Sequence, residues 1–266
     1  LEFRRVLFRS NFVTDAKYNM GIVSAELPET VDKPTVTLVS WFATRDRSVD
    51  LSKPGNAPEE SAAVLKLNLQ PTELIPTDGI VRDTARDIVK NVKGDDLARA
   101  RAIYEWVVEN TFRDAKVRGC GWGDIKSMLE TKNFGGKCGD LNAMFVGLCR
   151  SAGIPARDLY GLRVARSNNG YASLGVGTEN VTRAQHCRAE FYVKGYGWIP
   201  ADPADVRKAL GRQNIEVPGG RLNQNPRELT VRTIGRMESV RDFNDLIVAN
   251  FGGQPIFLKD LARVEA

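Results

Sequence analysis

Three residues decide whether this chain has chemistry to offer: Cys138, His186 and Asp202. Cys138 follows Gly135-Gly136-Lys137, and after it Leu141, Met144, Phe145, Leu148 and Ala152 recur at three- and four-residue steps. That spacing is one face of a helix, and Gly153 and Pro155 stop it. The thiol therefore stands at or just before the first turn of a largely buried helix. Unpaired N–H groups and the helix dipole favour an anion there. A thiol so placed ionises more readily than a free one, and the thiolate is the nucleophile. The alternative is a small buried cysteine that only packs, and Cys149, in step with the apolar face of the same helix, fits that description.

If an imidazole base serves Cys138 it must be His186, because the chain has one histidine. Gln185–Val193 and Trp198–Asp202 read as period-two strands joined by a turn at Gly195-Tyr196-Gly197, a hairpin. His186 and Asp202 stand about equally far from that turn, so strand pairing brings them side by side. The imidazole can then take the thiol proton while the carboxylate fixes its tautomer. Each residue also has a plain structural use: His186 as a satisfied strand histidine, Asp202 as a turn former before Pro203.

The elements that must position these residues precede and follow them. Ile80 to Lys93 carries Ile80, Ala85, Ile88, Val89 and Val92 roughly on one face and ends at Gly94. Asp95-Asp96 caps a second helix to about Asn110, with Leu97, Ala100, Ile103, Tyr104, Val107 and Val108 inward. Gly119 to Asp124 is a tight loop, Ile125 to Thr131 a short helix, and Ala156 to Ala165 a strand. Residues 167–180 are polar and glycine-rich, a loop. Upstream, Thr35 to Ala43 has the β-branched and aromatic content of a strand, and Ser61 to Leu69 gives a second one. Asp50 to Glu60, with Pro54, Gly55 and Pro58, is loop.

Composition narrows the classes. The chain has 266 residues, 42% hydrophobic and 27% charged, which suits one large or two small domains. No apolar run approaches the ~20 residues that cross a bilayer. The net charge of +5 is spread along the chain, so nucleic-acid binding is not expected. The four cysteines form no CxxC pair and one histidine is too few for the usual zinc patterns, so neither metal nor cofactor is expected. Cys120 and Cys187 remain open between pairing, guarding the site and simple packing. Residues 1–10 resemble a translated cloning or adapter scar, which leaves the natural N-terminus missing.

With the blocks in view, the chain resembles the transglutaminase-like superfamily over about residues 72–207. The carrying motifs are Arg101 to Phe112, Gly135 to Arg157, His186 to Val193, and Gly195 to Pro203. The resemblance implies an α+β, papain-like core in which a helix bearing the cysteine packs on an antiparallel sheet. It implies Cys138 as nucleophile, His186 as base and Asp202 as orienter, with acyl transfer through a thioester. Gln side-chain or peptide amides are the implied substrates, so the expected partner is a protein or peptide, and hydrolysis is favoured over transfer. The backbone N–H of Cys138 is one oxyanion donor, and Trp122 or Trp106 is a candidate for the second. Family resemblance also implies a periplasmic or secreted location. The rival reading is a non-catalytic binding or assembly domain on the same fold.

After Val206 the text changes. Ala209 to Arg221, Arg227 to Arg236, Phe243 to Ala249 and Gly253 to Glu265 resemble the porter region of resistance-nodulation-division efflux pumps. Strand Leu229–Gly235, helix Val240–Asn250 and strand Pro255–Glu265 would make a β-α-β fragment. A chimera joined near residues 206–209 is the expectation, and a pump fragment is the third functional reading. The expected organisation is thus 1–10 scar, 11–75 β-rich region, 76–207 catalytic domain and 208–266 porter-like fragment.

Overall fold

The computed structural model describes residues 9–18, 20–27, 35–41, 49–55, 57–164, 180–182 and 184–204, and four strands beyond them. Contacts divide the chain into two units, residues 1–48 and 49–266. In the first, β1 (Arg9–Thr14) and β2 (Gly21–Glu26) form an antiparallel hairpin in which Phe12 faces Val23. Arg9 and Ser10, assigned to the foreign N-terminal segment, are part of β1. Thr35 to Trp41 is not a strand, contrary to its composition. Val36, Leu38, Val39 and Trp41 are exposed, Trp41 by 91%. Strand propensity reports packing against neighbours, and among the described residues no strand pairs with this segment.

In the second unit, α1 (Ala62–Leu67) replaces the strand expected at 61–69. Ser61 accepts a hydrogen bond from Val64 N at 3.3 Å as its N-cap. A short apolar run such as Val64-Leu65-Lys66-Leu67 does not separate helix from strand by periodicity, and the cap decides it. Helices α2 (Gly79–Val89) and α3 (Asp96–Asn110) follow, the latter capped by Asp95, whose carboxylate accepts from Ala98 N at 3.1 Å. Next come β3 (Phe112–Arg113), α4 (Ile125–Thr131), β4 (Gly135–Gly136) and α5 (Cys138–Ser151). β3 and β4 pair in parallel, Phe112 opposite Gly135. A Cβ on Gly135 would lie 2.7 Å from the Phe112 ring, so glycine permits this approach.

The core is built around α5. Every residue from Cys138 to Arg150 is buried, the polar Asp140, Asn142 and Arg150 among them. It touches α2, α3 and α4 on one side and β5 (Ala156–Leu162) and β6 (Gln185–Val193) on the other. The sheet is antiparallel, ordered β5-β6-β7, where β7 is Gly197–Ala201. Phe145 meets Tyr104 and Phe191 edge-on at 6.0 and 5.7 Å. Ala189, Phe191 and Val193 share the β6 face toward this core. On the alternate positions Arg157 pairs with Glu190 at 2.8 Å and lies 4.0 Å over Trp198, whose Nε1 donates to Glu60 at 3.0 Å. Arg157 is therefore tied into the sheet.

Past residue 204, β8 (Val217–Gln224) pairs with β9 (Arg227–Thr233), and β10 (Ile247–Phe251) with β11 (Gln254–Phe257), both antiparallel. β9 falls where a strand was expected. The helix expected over 240–250 is not what stands at its end: Ile247 onward is β10, and 240–246 lie outside the described residues. Most of the polar loop, 167–179, lies outside them too.

Candidate active site

The first turn of α5 is held from both sides. Gly139 N donates to Cys120 O at 2.7 Å, and the Asp140 carboxylate accepts from Lys137 N at 2.9 Å and Gly123 N at 2.8 Å. These bonds lock the Gly119–Asp124 loop onto the helix N-terminus. Glycine is required at the contact: a Cβ on Gly121, whose φ is +93°, would lie 1.8 Å from an Asp140 oxygen. A Cβ on Gly139 would lie 2.6 Å from the Cys120 carbonyl. Asp140 also suits the positive end of the helix dipole, but its larger use is to fasten this loop.

β6 delivers His186, and the end of β7 delivers Asp202. His186 Nε2 and Asp202 Oδ2 are 2.6 Å apart, with both side chains largely buried. The register pairs Ala189 with Ala201, so one step further Asp202 falls opposite Arg188 and diagonal to His186. The two are therefore diagonal neighbours of one strand phase, not directly opposed, and the reach of the side chains closes the gap. Cys138 hydrogen-bonds to the same histidine. With Nε2 committed to the carboxylate, Nδ1 is the ring nitrogen left for the sulfur. The structure thus pairs His186 with Asp202, and His186 is among the groups that lower Cys138.

Residues 82–203 match the sequence model of the transglutaminase-like superfamily. By that match the stretch is transglutaminase-like in sequence. Residues 201–266 match the AcrB/AcrD/AcrF family, so the two matches meet at 201–203. An uncharacterized protein of Haemophilus influenzae is 45% identical over 148 residues, 53% of this chain and 40% of that protein. Protein HelA of Legionella pneumophila is 32% identical over 60 residues, 23% of this chain and 6% of HelA. The chain therefore spans less than half the length of either relative. Among solved structures, the periplasmic domain of TgpA from Pseudomonas aeruginosa is similar at 19% identity and a TM-score of 0.43, over 57% of this chain and 50% of that one.

Electrostatics within this transglutaminase-like region single out one sulfur. The Cys138 thiol is held far below the usual range, at about 3. The largest cause is the hydrogen bond from the Cys187 side chain; burial opposes it, and the bond to His186 adds to it. The same contact with Cys138, and burial, push Cys187 far up. Burial, then the Cys138 charge, pushes Cys120 up. All four cysteines are free.

The transglutaminase-like site also holds a residue that the sequence reading passed over. Asn142 is fully buried, and its Nδ2 donates to Cys187 O at 2.8 Å and reaches Asp202 Oδ1 at 3.5 Å. The signal was present: Asn142 is a polar residue one helical turn after Cys138, amid apolar neighbours. Of the two tryptophans, Trp122 is 82% exposed in the loop fastened to α5. Trp106 lies on α3, edge-on to Phe134 at 5.9 Å and packed against the core.

Proposed function

We propose that this chain is a transglutaminase-like cysteine enzyme that cleaves or transfers the acyl group of a Gln side-chain or peptide amide. One observation carries the reading: the imidazole that hydrogen-bonds Cys138 is held by Asp202 at 2.6 Å. In this reading the Cys138 thiolate attacks the amide carbonyl carbon. The oxyanion that forms is met by the backbone N–H of Cys138, since Gly139 N–H is already committed to Cys120 O. Trp122, beside the first turn, is the better placed candidate for a second donor than Trp106. His186 passes its proton to the leaving amine, the C–N bond breaks, and a thioester remains on Cys138. Water, deprotonated by His186, releases the acid; an amine would give transfer instead. Hydrolysis is favoured because water is always available and no amine-binding feature stands out.

The reading includes a protein or peptide substrate, a catalytic region over 76–207 and a periplasmic or secreted location, the last supported by family resemblance alone. It also takes the chain as a junction of two unrelated pieces, supported by family matches that meet at 201–203. No helix among the described residues is long and apolar enough to cross a membrane, and no transport activity is assigned to the C-terminal piece. The test is a panel of peptide amides and glutamine peptides with hydroxylamine as thioester trap. Thiol-dependent turnover and a trapped hydroxamate are expected, both lost in Cys138→Ala and in His186→Ala. Undiminished turnover in either variant ends the assignment.

A further inference from the structure

We propose that Cys120, Cys138 and Cys187 together form a three-sulfur site for a soft, thiophilic metal ion of the Zn²⁺, Cd²⁺ or Cu⁺ class. Their Sγ atoms all lie within 4.8 Å of one another, with Cys138 and Cys187 buried and Cys120 half-buried. Metal–sulfur bonds of about 2.3 Å separate sulfurs around one ion by roughly 3.8–4.0 Å, in tetrahedral or trigonal geometry. Closing the cluster by about 1 Å or less therefore makes the site. Thiolates select soft ions over Mg²⁺ or Ca²⁺. The nearest carboxylates are already engaged: Asp140 by Lys137 and Gly123 N–H groups, Asp202 by His186.

The three sulfurs come from three separate elements, and each is fixed by the fold. Cys120 is held through its carbonyl on Gly139 N, Cys138 by the first turn of α5, and Cys187 through its carbonyl on Asn142 Nδ2. The donors are thus largely assembled before any ion arrives. On binding, each sulfur that still carries a proton releases it to solvent and donates a lone pair to the ion; nothing is oxidised or reduced. Three protein ligands leave a further position for water or a small thiol. The spacing of these cysteines along the chain contains no short ligand motif, which is why the sequence pointed away from a metal.

The site shares Cys138 with the proposed reaction but does not depend on it, because binding is read without turnover. An ion on that sulfur would silence the nucleophile, a reversible block relieved by a chelator. The experiment titrates the full chain, reduced with a phosphine, with Cd²⁺ and follows the ultraviolet sulfur-to-cadmium absorption. One Cd²⁺ per chain with the intensity of three thiolates is expected. Cys120→Ser, Cys138→Ser and Cys187→Ser should each weaken binding by at least about 100-fold, more than loss of an outer partner would. Cys120→Ser lies in a surface loop, and its far-ultraviolet dichroism checks that it folds. Absorption worth one thiolate, or unchanged affinity in Cys120→Ser, would overturn the site. Three-thiolate binding alongside full turnover in Cys138→Ala would leave the metal site standing and remove the acyl-transfer reading. Single-thiolate binding with turnover that needs Cys138 would do the reverse.

Discussion

Two cysteines on one helix, both buried, are driven in opposite directions. At the mouth of α5, Cys138 is held at about 3 by hydrogen bonds from Cys187 and His186 that outweigh its burial. Eleven positions on, in the last turn of the same helix, Cys149 lies in the apolar core, and burial alone pushes it well above the usual thiol range. Burial is thus common to both and cannot be what makes one reactive. The difference lies in donors: the helix N-terminus and two strand side chains present hydrogen-bonding groups to Cys138, and the apolar core presents none to Cys149.

The largest test of that contrast is exchange at each end. Cys138→Ala or His186→Ala should lower turnover by about 10⁶-fold, the scale lost when a nucleophile or its base is removed. Cys149→Ala should keep turnover and instead cost about 1–2 kcal/mol of stability through the small cavity it leaves. Kinetics on the peptide-amide panel and urea denaturation separate the two outcomes. Equal loss of turnover from both positions would erase the distinction between the two ends of the helix.

Asp158, on β5, extends the behaviour of Cys149 to a carboxylate. Burial raises it to about 7, the Arg150 charge opposing, and its Oδ1 is buried without a hydrogen-bond partner. A folded value above the unfolded 3.8 means that the fold prefers the protonated acid. Its contribution is therefore fully present below about pH 4 and is lost as pH rises through about 7. At about 1.4 kcal/mol per unit the ceiling of that loss is about 4 kcal/mol. Asp158→Asn should remove this slope and leave the variant more stable than the parent above about pH 7. Urea midpoints for both proteins at mildly acidic and mildly alkaline pH decide it. A parallel pH dependence in the two would mean that Asp158 ionises normally.

A smaller effect sharpens the comparison of the thiols directly. Iodoacetamide should label Cys138 about 100-fold faster than Cys149 in the native protein, because only the thiolate reacts and only Cys138 adjoins an open loop. Mass spectrometry of quenched peptides measures both rates in one sample. Similar rates would place the two sulfurs in equivalent surroundings.

What the sequence disclosed, and what it hid, follows the same division between local and distant causes. α3 and α5 were legible because cap, periodicity and stop all lie within one segment, as Asp95 and Gly153 illustrate. The β6–β7 hairpin was legible because its glycine turn fixes the pairing. Thr35 to Trp41 misled because strand propensity is fulfilled only by a partner strand, which local composition cannot supply. Residues 61–69 misled because one hydroxyl, Ser61 on Val64 N, outweighed the β-like content of a short run. Of the site, Cys138 and its two proposed partners could be named from order and residue type. The approach of Cys120 and Cys187 could not, since it depends on Asp140 and Asn142 fastening a loop and a strand to one helix turn.

Asn142 supports the mouth of α5 from within, and it carries the smallest predicted effect. Buried one turn inside α5, it spends its amide on Cys187 O at 2.8 Å and approaches Asp202 Oδ1 at 3.5 Å. It touches none of the proposed reacting atoms and so acts by positioning. Asn142→Leu keeps the volume but leaves a carbonyl unpaired and the Asp202 carboxylate less restrained, at a cost of about 1–3 kcal/mol. Turnover should fall about 10-fold in kcat with KM unchanged, since the loss concerns the imidazole's support and not substrate contact. Asn142→Asp should be worse than leucine, because a second buried acid beside Asp202 repels it and competes for the proton His186 must carry. If Asn142→Asp matches the parent in kcat, or the leucine variant loses only stability, the amide serves packing and not the histidine.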